Sequence, residues 1–128
     1  MSKAVLDASA ILAVIFQEPG AEKLTEDVLD DAVASTVNLA EVQAKLVKKG
    51  YDPEVAWEDT LLLETPPEPF TAEQAKIAGS LIATTEKHGL SLGDRSCLAL
   101  AIMLKAPVYT TEQTWRNLQV GVSIHVIR

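Results

Sequence analysis

Four acidic residues stand next to apolar stretches of the chain, where a charged side chain is not expected: Asp7, Glu41, Asp94 and Glu112. Asp7 is the clearest case, because it is the only ionisable residue between Lys3 and Glu18. A carboxylate among apolar neighbours costs free energy unless a partner or a metal ion compensates its charge. The purely structural alternative is that Asp7 caps the helix that follows it.

Asp94 repeats this pattern, because residues 96–104 after it carry no charge. At helical spacing Asp94 shares a stripe with Leu98 and Ala101, which predicts that its side chain points inward. The structural alternative is a capping box, since Ser91 stands three residues before Asp94.

Glu41 and Glu112 also follow apolar stretches of chain. Glu41 could simply pair with Lys45 one helical turn later. Glu112 comes directly after the apolar run 107–109, where an acid is also favoured at a helix N-terminus. Each acid taken alone therefore has a structural explanation as well as a functional one.

Topology turns these separate signals into one hypothesis. In an open parallel sheet, ligands bind beyond the carboxyl ends of the strands. Acids that meet there repel one another and need a cation. An all-oxygen ligand set without a usable Cys or His group favours Mg²⁺ or Mn²⁺. Hard divalent ions held by carboxylates are suited to phosphoester cleavage.

Short apolar runs alternate with helical patterns along the chain. We predict strands at residues 4–6, 32–34, 107–109 and 122–127, and a turn or short edge strand at 66–70. We predict helices at residues 9–16, 21–29, 37–49 and 53–63, a helix capped by Thr71 that reaches 85, a loop at 87–90, and a helix at 91–104. Such alternation predicts an α/β fold, a three-layer α/β/α sandwich with a mostly parallel sheet of four to five strands.

The bulk composition fits one globular domain over residues 1–128, with 48% hydrophobic and 23% charged residues. The single cysteine, Cys97, excludes an intrachain disulfide and fits a reducing cytoplasm. The net charge of −7 argues against nonspecific duplex binding. The apolar run 4–16 is too short to span a bilayer and contains Asp7, so we expect a cytoplasmic protein without membrane contact.

Four segments occur in the order and spacing of a known family: Val5-Leu6-Asp7-Ala8-Ser9-Ala10, Asn38-Leu39-Ala40-Glu41-Val42, Leu90-Ser91-Leu92-Gly93-Asp94-Arg95-Ser96-Cys97-Leu98-Ala99-Leu100-Ala101 and Tyr109-Thr110-Thr111-Glu112-Gln113-Thr114-Trp115. In these segments the chain resembles PIN domains, and it is most similar to the VapC toxins of prokaryotic toxin–antitoxin pairs. The resemblance covers the whole chain. Its most specific part is the Leu-Ser-Leu-Gly-Asp-Arg block.

The resemblance implies an Mg²⁺- or Mn²⁺-dependent endoribonuclease that acts on tRNA or rRNA. It also implies a homodimer inhibited by a small VapB-like antitoxin. Asp7, Glu41 and Asp94 match the family's three main acids, whereas the fourth acid is usually Asp and here is Glu112.

Ser9 and Thr110 match hydroxyl positions that support the acids in some family members. Arg95 could contact a phosphate, or it could be an exposed arginine at a helix start. The basic group Lys45, Lys48 and Lys49 could hold RNA backbone, or it could be a solvated helix end.

Three other functions can be considered. A histidine pair, His88 and His125, could cut RNA without metal, although no spacing links the two residues. A phosphoacceptor receiver domain would need an acid pair after the first strand and an acceptor Asp after the third. The third alternative is a PIN-fold module that binds RNA or protein without cutting, and Glu112 in place of Asp is its sequence support.

Overall fold

The computed structural model describes residues 3–128 and contains a five-stranded sheet. The predicted domain also includes Met1 and Ser2, which lie outside the described residues. The spatial order of the strands is β3-β2-β1-β4-β5, and every neighbouring pair is parallel. The strands are β1 (Ala4–Leu6), β2 (Ala32–Ser35), β3 (Pro67–Glu68), β4 (Val108–Thr110) and β5 (Ile124–Val126).

Helices connect the strands, and most of them begin at a residue whose side chain can cap them. The helices are α1 (Ala8–Ile15), α2 (Glu26–Asp30), α3 (Thr36–Lys48), α4 (Pro53–Thr60), α5 (Ala72–Ser80), α6 (Ile82–Thr85) and α7 (Leu92–Leu104). Single 3₁₀ turns cover Ala21–Lys23, Glu86–His88 and Gln113–Asn117. Over the described stretch, 3–128, no helix combines the length and apolarity needed to cross a bilayer.

Two apolar cores lie on opposite faces of the sheet, because successive side chains of a strand alternate between faces. In β1, Leu6 packs with α1 and α3, whereas Val5 packs with α7. In β2, Ala34 joins the first core and Val33 joins the second. The predicted three-layer α/β/α sandwich is therefore confirmed, with five strands, all of them parallel.

Several predicted boundaries are wrong. The helix expected over 21–29 is a 3₁₀ turn followed by α2, because Thr25 leaves helical geometry to cap α2. The helix expected from Thr71 to 85 changes at Leu81 into the separate α6. The helix expected over 53–63 ends at Thr60, and part of the loop expected at 87–90 is a 3₁₀ turn. Of the expected last strand, 122–127, only β5 is regular.

The segment 66–70 forms β3, which is an edge strand as the prolines predict.

Candidate active site

Asp7 follows directly after β1, the central strand, and its side chain is only 3% exposed. Its Oδ1 accepts hydrogen bonds from the Ala10 backbone N–H at 2.8 Å and from Ser9 Oγ at 2.7 Å. The structural explanation from the sequence is therefore correct, because Asp7 caps α1. Capping nevertheless uses only one carboxylate oxygen, and Oδ2 accepts from Thr110 Oγ1 at 2.6 Å across the sheet.

The turn after β4 is fastened to this carboxylate through the same two hydroxyls. Ser9 Oγ accepts from the Thr111 N–H at 2.9 Å, and Thr110 Oγ1 accepts from the Glu112 N–H at 3.0 Å. The main chain of Glu112 is thus linked to Asp7 through a single hydroxyl. Its side chain is exposed and does not cap the 3₁₀ turn that follows.

Glu41 lies on α3 and is held against the start of α7. Asn38 Nδ2 donates to Glu41 Oε1 at 2.9 Å and to the Gly93 carbonyl at 3.1 Å. Asn38 is 1% exposed, and its Oδ1 has no hydrogen-bond partner in the described structure. A Cβ at Gly93 would lie only 2.6 Å from Glu41 Cδ, so any larger residue at this position would push the Glu41 carboxylate aside. The pairing of Glu41 with Lys45 is absent over residues 3–128, where the only ion pair is Arg128–Glu18.

Asp94 is half-buried in the first turn of α7 and forms the predicted capping box with Ser91. The Ser91 N–H donates to Asp94 Oδ2 at 2.9 Å, and the Asp94 N–H donates to Ser91 Oγ at 3.2 Å. The capping box fixes the carboxylate at the helix N-terminus, beside the Gly93 that Glu41 contacts.

Three of the acids act electrostatically on buried groups of the same region. Burial raises the pKa of Asp7 from 3.8 to about 6, against the lowering by its hydrogen bonds, and the charge of Asp94 adds to the rise. Burial raises the pKa of the Cys97 thiol well above its usual value, and the charges of Asp7, Asp94 and Glu41 raise it further. The buried Cys97 thiol thus feels the charge of all three carboxylates, and in the part of the chain described here none of them pairs with a cation.

The donor set fits a hard divalent cation in its chemistry, since buried and unpaired carboxylate oxygens are what such ions bind. In the geometry of residues 3–128, however, no group of three or more His, Cys, Asp or Glu side chains is gathered closely enough to hold a metal ion. The structure thus brings Asp7, Glu41 and Asp94 into one neighbourhood without arranging them as a coordination shell.

A cleft of about 290 Å³ is lined by Glu112 and by Ser9, whose hydroxyl holds Asp7. We call it the basic cleft, because its walls carry three cations and two acids; its lining residues are Ser9, Leu12, Phe16, Glu18, Lys45, Lys49, Thr111, Glu112 and Arg128.

Arg95, in contrast, donates from Nη1 to the Ala78 carbonyl of α5 at 2.9 Å. Its guanidinium therefore braces α7 against α5, and this contact gives no support to a role in phosphate binding.

Sequence reasoning does not assign Asn38 or Gly93 to the site. An amide three residues before Glu41, on an otherwise apolar helix face, is the available signal for Asn38.

The histidines suggested as an alternative catalytic pair have separate surroundings. The His125 ring stacks on Tyr109 at 4.7 Å, whereas His88 lies in an exposed 3₁₀ turn. The receiver alternative requires an acceptor Asp after the third strand, but β3 is followed by Pro69 and Phe70.

Comparison with protein families gives one match, to the PIN domain, over residues 4–120. Comparison with curated proteins gives no significant match.

Solved structures share the fold at low sequence identity. The chain is similar to a chain of DNA-bound VapBC from Salmonella typhimurium, with a TM-score of 0.76, 17% identity and 98% of each chain covered. It is similar to one from VapBC2 of Rickettsia felis bound to a promoter DNA fragment, with a TM-score of 0.70, 20% identity and coverage of 95% and 96%. A third is from VapBC-1 of nontypeable Haemophilus influenzae, with a TM-score of 0.71, 18% identity and coverage of 95% and 96%.

Proposed function

Because this chain belongs to the PIN domain family, we propose that it is a metal-dependent endoribonuclease and the toxin of a toxin–antitoxin pair. The observation that carries the proposal is Asp7. This carboxylate is buried at the carboxyl end of the central strand, its pKa is raised, and it has no cationic partner among residues 3–128. A bound cation would stabilise its ionised form.

Asp7, Glu41 and Asp94 are the residues we expect to hold Mg²⁺ or Mn²⁺, with Glu112 at the mouth of the basic cleft. When bound, such an ion activates water and stabilises charge on the phosphate. The chain's own residues orient the acids: Ser9 and Thr110 hold both oxygens of Asp7, and Asn38 holds Glu41. With a pKa of about 6, Asp7 is mostly ionised at neutral pH and ready to bind a cation.

The test is cleavage of total RNA by the purified protein, with Mg²⁺ or Mn²⁺ and with EDTA. We expect cleavage only with metal, and loss of cleavage in Asp7→Asn, because Asn still caps α1 but carries no charge. The matched control is Asp30→Asn, which neutralises an exposed acid of α2. Cleavage in EDTA, or undiminished cleavage by Asp7→Asn, would contradict the proposal.

One observation favours the alternative of a PIN-fold module that binds without cutting. The acids of the described residues are not gathered as a coordination shell, and Glu112 points to solvent. That alternative would be established if the protein binds RNA without metal and does not cleave it with Mg²⁺, with Mn²⁺ or with EDTA.

We also propose that the protein is cytoplasmic, forms a homodimer and binds a small VapB-like antitoxin. Several large apolar side chains of the region 55–62 are exposed, Leu62 at 67% and Val55 at 45%. A soluble monomer rarely exposes such a patch without a partner. Light scattering on the purified protein should give the mass of two chains, and Leu62→Glu should shift it toward one; a monomeric wild-type protein would exclude the dimer.

A further inference from the structure

We propose that the basic cleft is a phosphate-binding track that holds single-stranded RNA beside the acids, with Lys45 and Lys49 as its contacts. The inference rests on the proposed nuclease function and specifies how the substrate strand lies there. It assigns a role to Lys45 of α3 and to Lys49, the C-cap residue of that helix, but none to Lys48, which does not line the cleft.

The two lysines continue the helix face that carries Glu41. Residues four apart on a helix lie one above the other, so Glu41 and Lys45 share a stripe along α3, and Lys49, the C-cap residue with right-handed helical dihedral angles, continues it. At 1.5 Å per residue, the lysines stand roughly 6 Å and 12 Å from Glu41 along the helix axis. This spacing resembles that of successive phosphates in an extended strand.

Both lysines are available to an anion. Among residues 3–128 neither forms an ion pair with a carboxylate. Glu18, an acid of the same cleft, is already neutralised by Arg128 at 3.1 Å. The chain has a net charge of −7, so two unpaired lysines in one cleft differ from the acidic character of the rest of the molecule.

An aromatic side chain holds one of these cations in place. Lys49 Nζ lies over the Phe16 ring, 5.3 Å from its centroid, and both residues line the cleft. A lysine that only stabilised the end of α3 would not need this partner. Phe16 therefore acts as a positioning residue for Lys49.

The small number of cations favours a single strand. Tight binding of a duplex depends on neutralising many phosphates, whereas two lysines in one cleft can follow a short stretch of a single backbone.

The experiment measures binding of a fluorescent oligouridylate 12-mer by anisotropy in EDTA, which prevents metal-dependent cleavage, across a series of KCl concentrations. For single strands, each phosphate that the protein neutralises contributes about 0.7 to the slope of log K against log salt. We expect Lys45→Gln and Lys49→Gln each to weaken binding about threefold to tenfold and to flatten the slope by about 0.7. Phe16→Leu should weaken binding in the same direction by less.

Lys48→Gln is the matched control, because it removes the same charge from the same helix outside the cleft. An equal effect of all three lysine variants, or no effect of any, would overturn the track. If Lys45→Gln and Lys49→Gln lose binding of poly-glutamate but bind the RNA as the wild type does, the track is overturned in favour of an acidic polypeptide ligand. Absence of cleavage with the slope pattern intact would count against the nuclease and not against the track.

Discussion

At the scale of single residues, Asp7 serves two purposes that the sequence alone presents as alternatives. One oxygen caps α1, and the other is held by a hydroxyl from a different strand. The isolation of Asp7 in an apolar run is enough to identify it. Asn38 and Gly93 cannot be found in this way, because their importance depends on the contact between α3 and α7, which brings together residues 55 apart in sequence.

Asp7→Asn should stabilise the metal-free protein in a pH-dependent way. The folded-state pKa of Asp7 is raised, so its ionisation opposes folding as pH rises from 3.8 through about 6. Such a rise corresponds to roughly 3 kcal/mol at neutral pH. We expect urea unfolding to show the variant more stable than the wild type at pH 7 and nearly equal to it at pH 4. A difference that does not change with pH would show that Asp7 is not the titrating group.

Gly93→Ala should displace Glu41, because the added Cβ would overlap its carboxylate. Because the overlapping atoms are the end of a flexible side chain that can move, we expect little loss of stability, together with a large fall in cleavage.

Gly79→Ala on α5 is the control for this substitution, since nothing lies within 4 Å of a Cβ there. Removing a helical glycine in open space should be neutral or stabilising by up to about 1 kcal/mol, with cleavage unchanged. Equal behaviour of the two variants in unfolding and cleavage assays would refute the close contact at Gly93.

At the scale of elements, the sequence predicts where helices begin better than where they end. Asp7, Thr71 and Ser91 are recognisable as starts because their side chains can bond to the backbone of the first turn. The interruption at Leu81 is preceded by Gly79 and Ser80, the last two residues of α5, both of which weaken a helix. Helical periodicity continues past this pair, which is why the sequence predicts one helix and not two.

Ser91→Ala tests whether the start of α7 matters for chemistry as well as stability. Loss of the cap should cost about 1 kcal/mol and release Asp94 from its capping box, lowering cleavage. Thr71→Ala removes an equivalent cap from α5, where none of the candidate acids lies, and should cost similar stability with normal cleavage. If both variants cleave RNA equally well, the capping box does not orient Asp94.

At the scale of the whole molecule, the sequence is sufficient for the fold class and the mostly parallel sheet, whereas the shared metal site of the acids stays a prediction. Strand order cannot be derived from alternation alone, because the pattern does not specify on which side of β1 each later strand is added. The observed order places β4 beside β1, and only this arrangement brings Thr110 to Asp7.

Divalent metal should raise the global stability of the protein. Binding to the folded state alone adds about 2.7 kcal/mol at a hundredfold excess over Kd, or roughly 10 °C in Tm for a domain of this size. We expect calorimetry to show this rise with Mn²⁺, its reversal by EDTA, and none with NaCl of equal ionic strength. If Mn²⁺ raises the Tm of Asp7→Asn by the same amount, the ion binds at a site that does not include Asp7.

The strand order also determines when the protein becomes complete during translation. Asp7 and the Thr110 hydroxyl that holds it are separated by 103 residues of chain. Since β4 must be synthesised before it can pair with β1, a nascent chain that has not yet reached β4 lacks the assembled site.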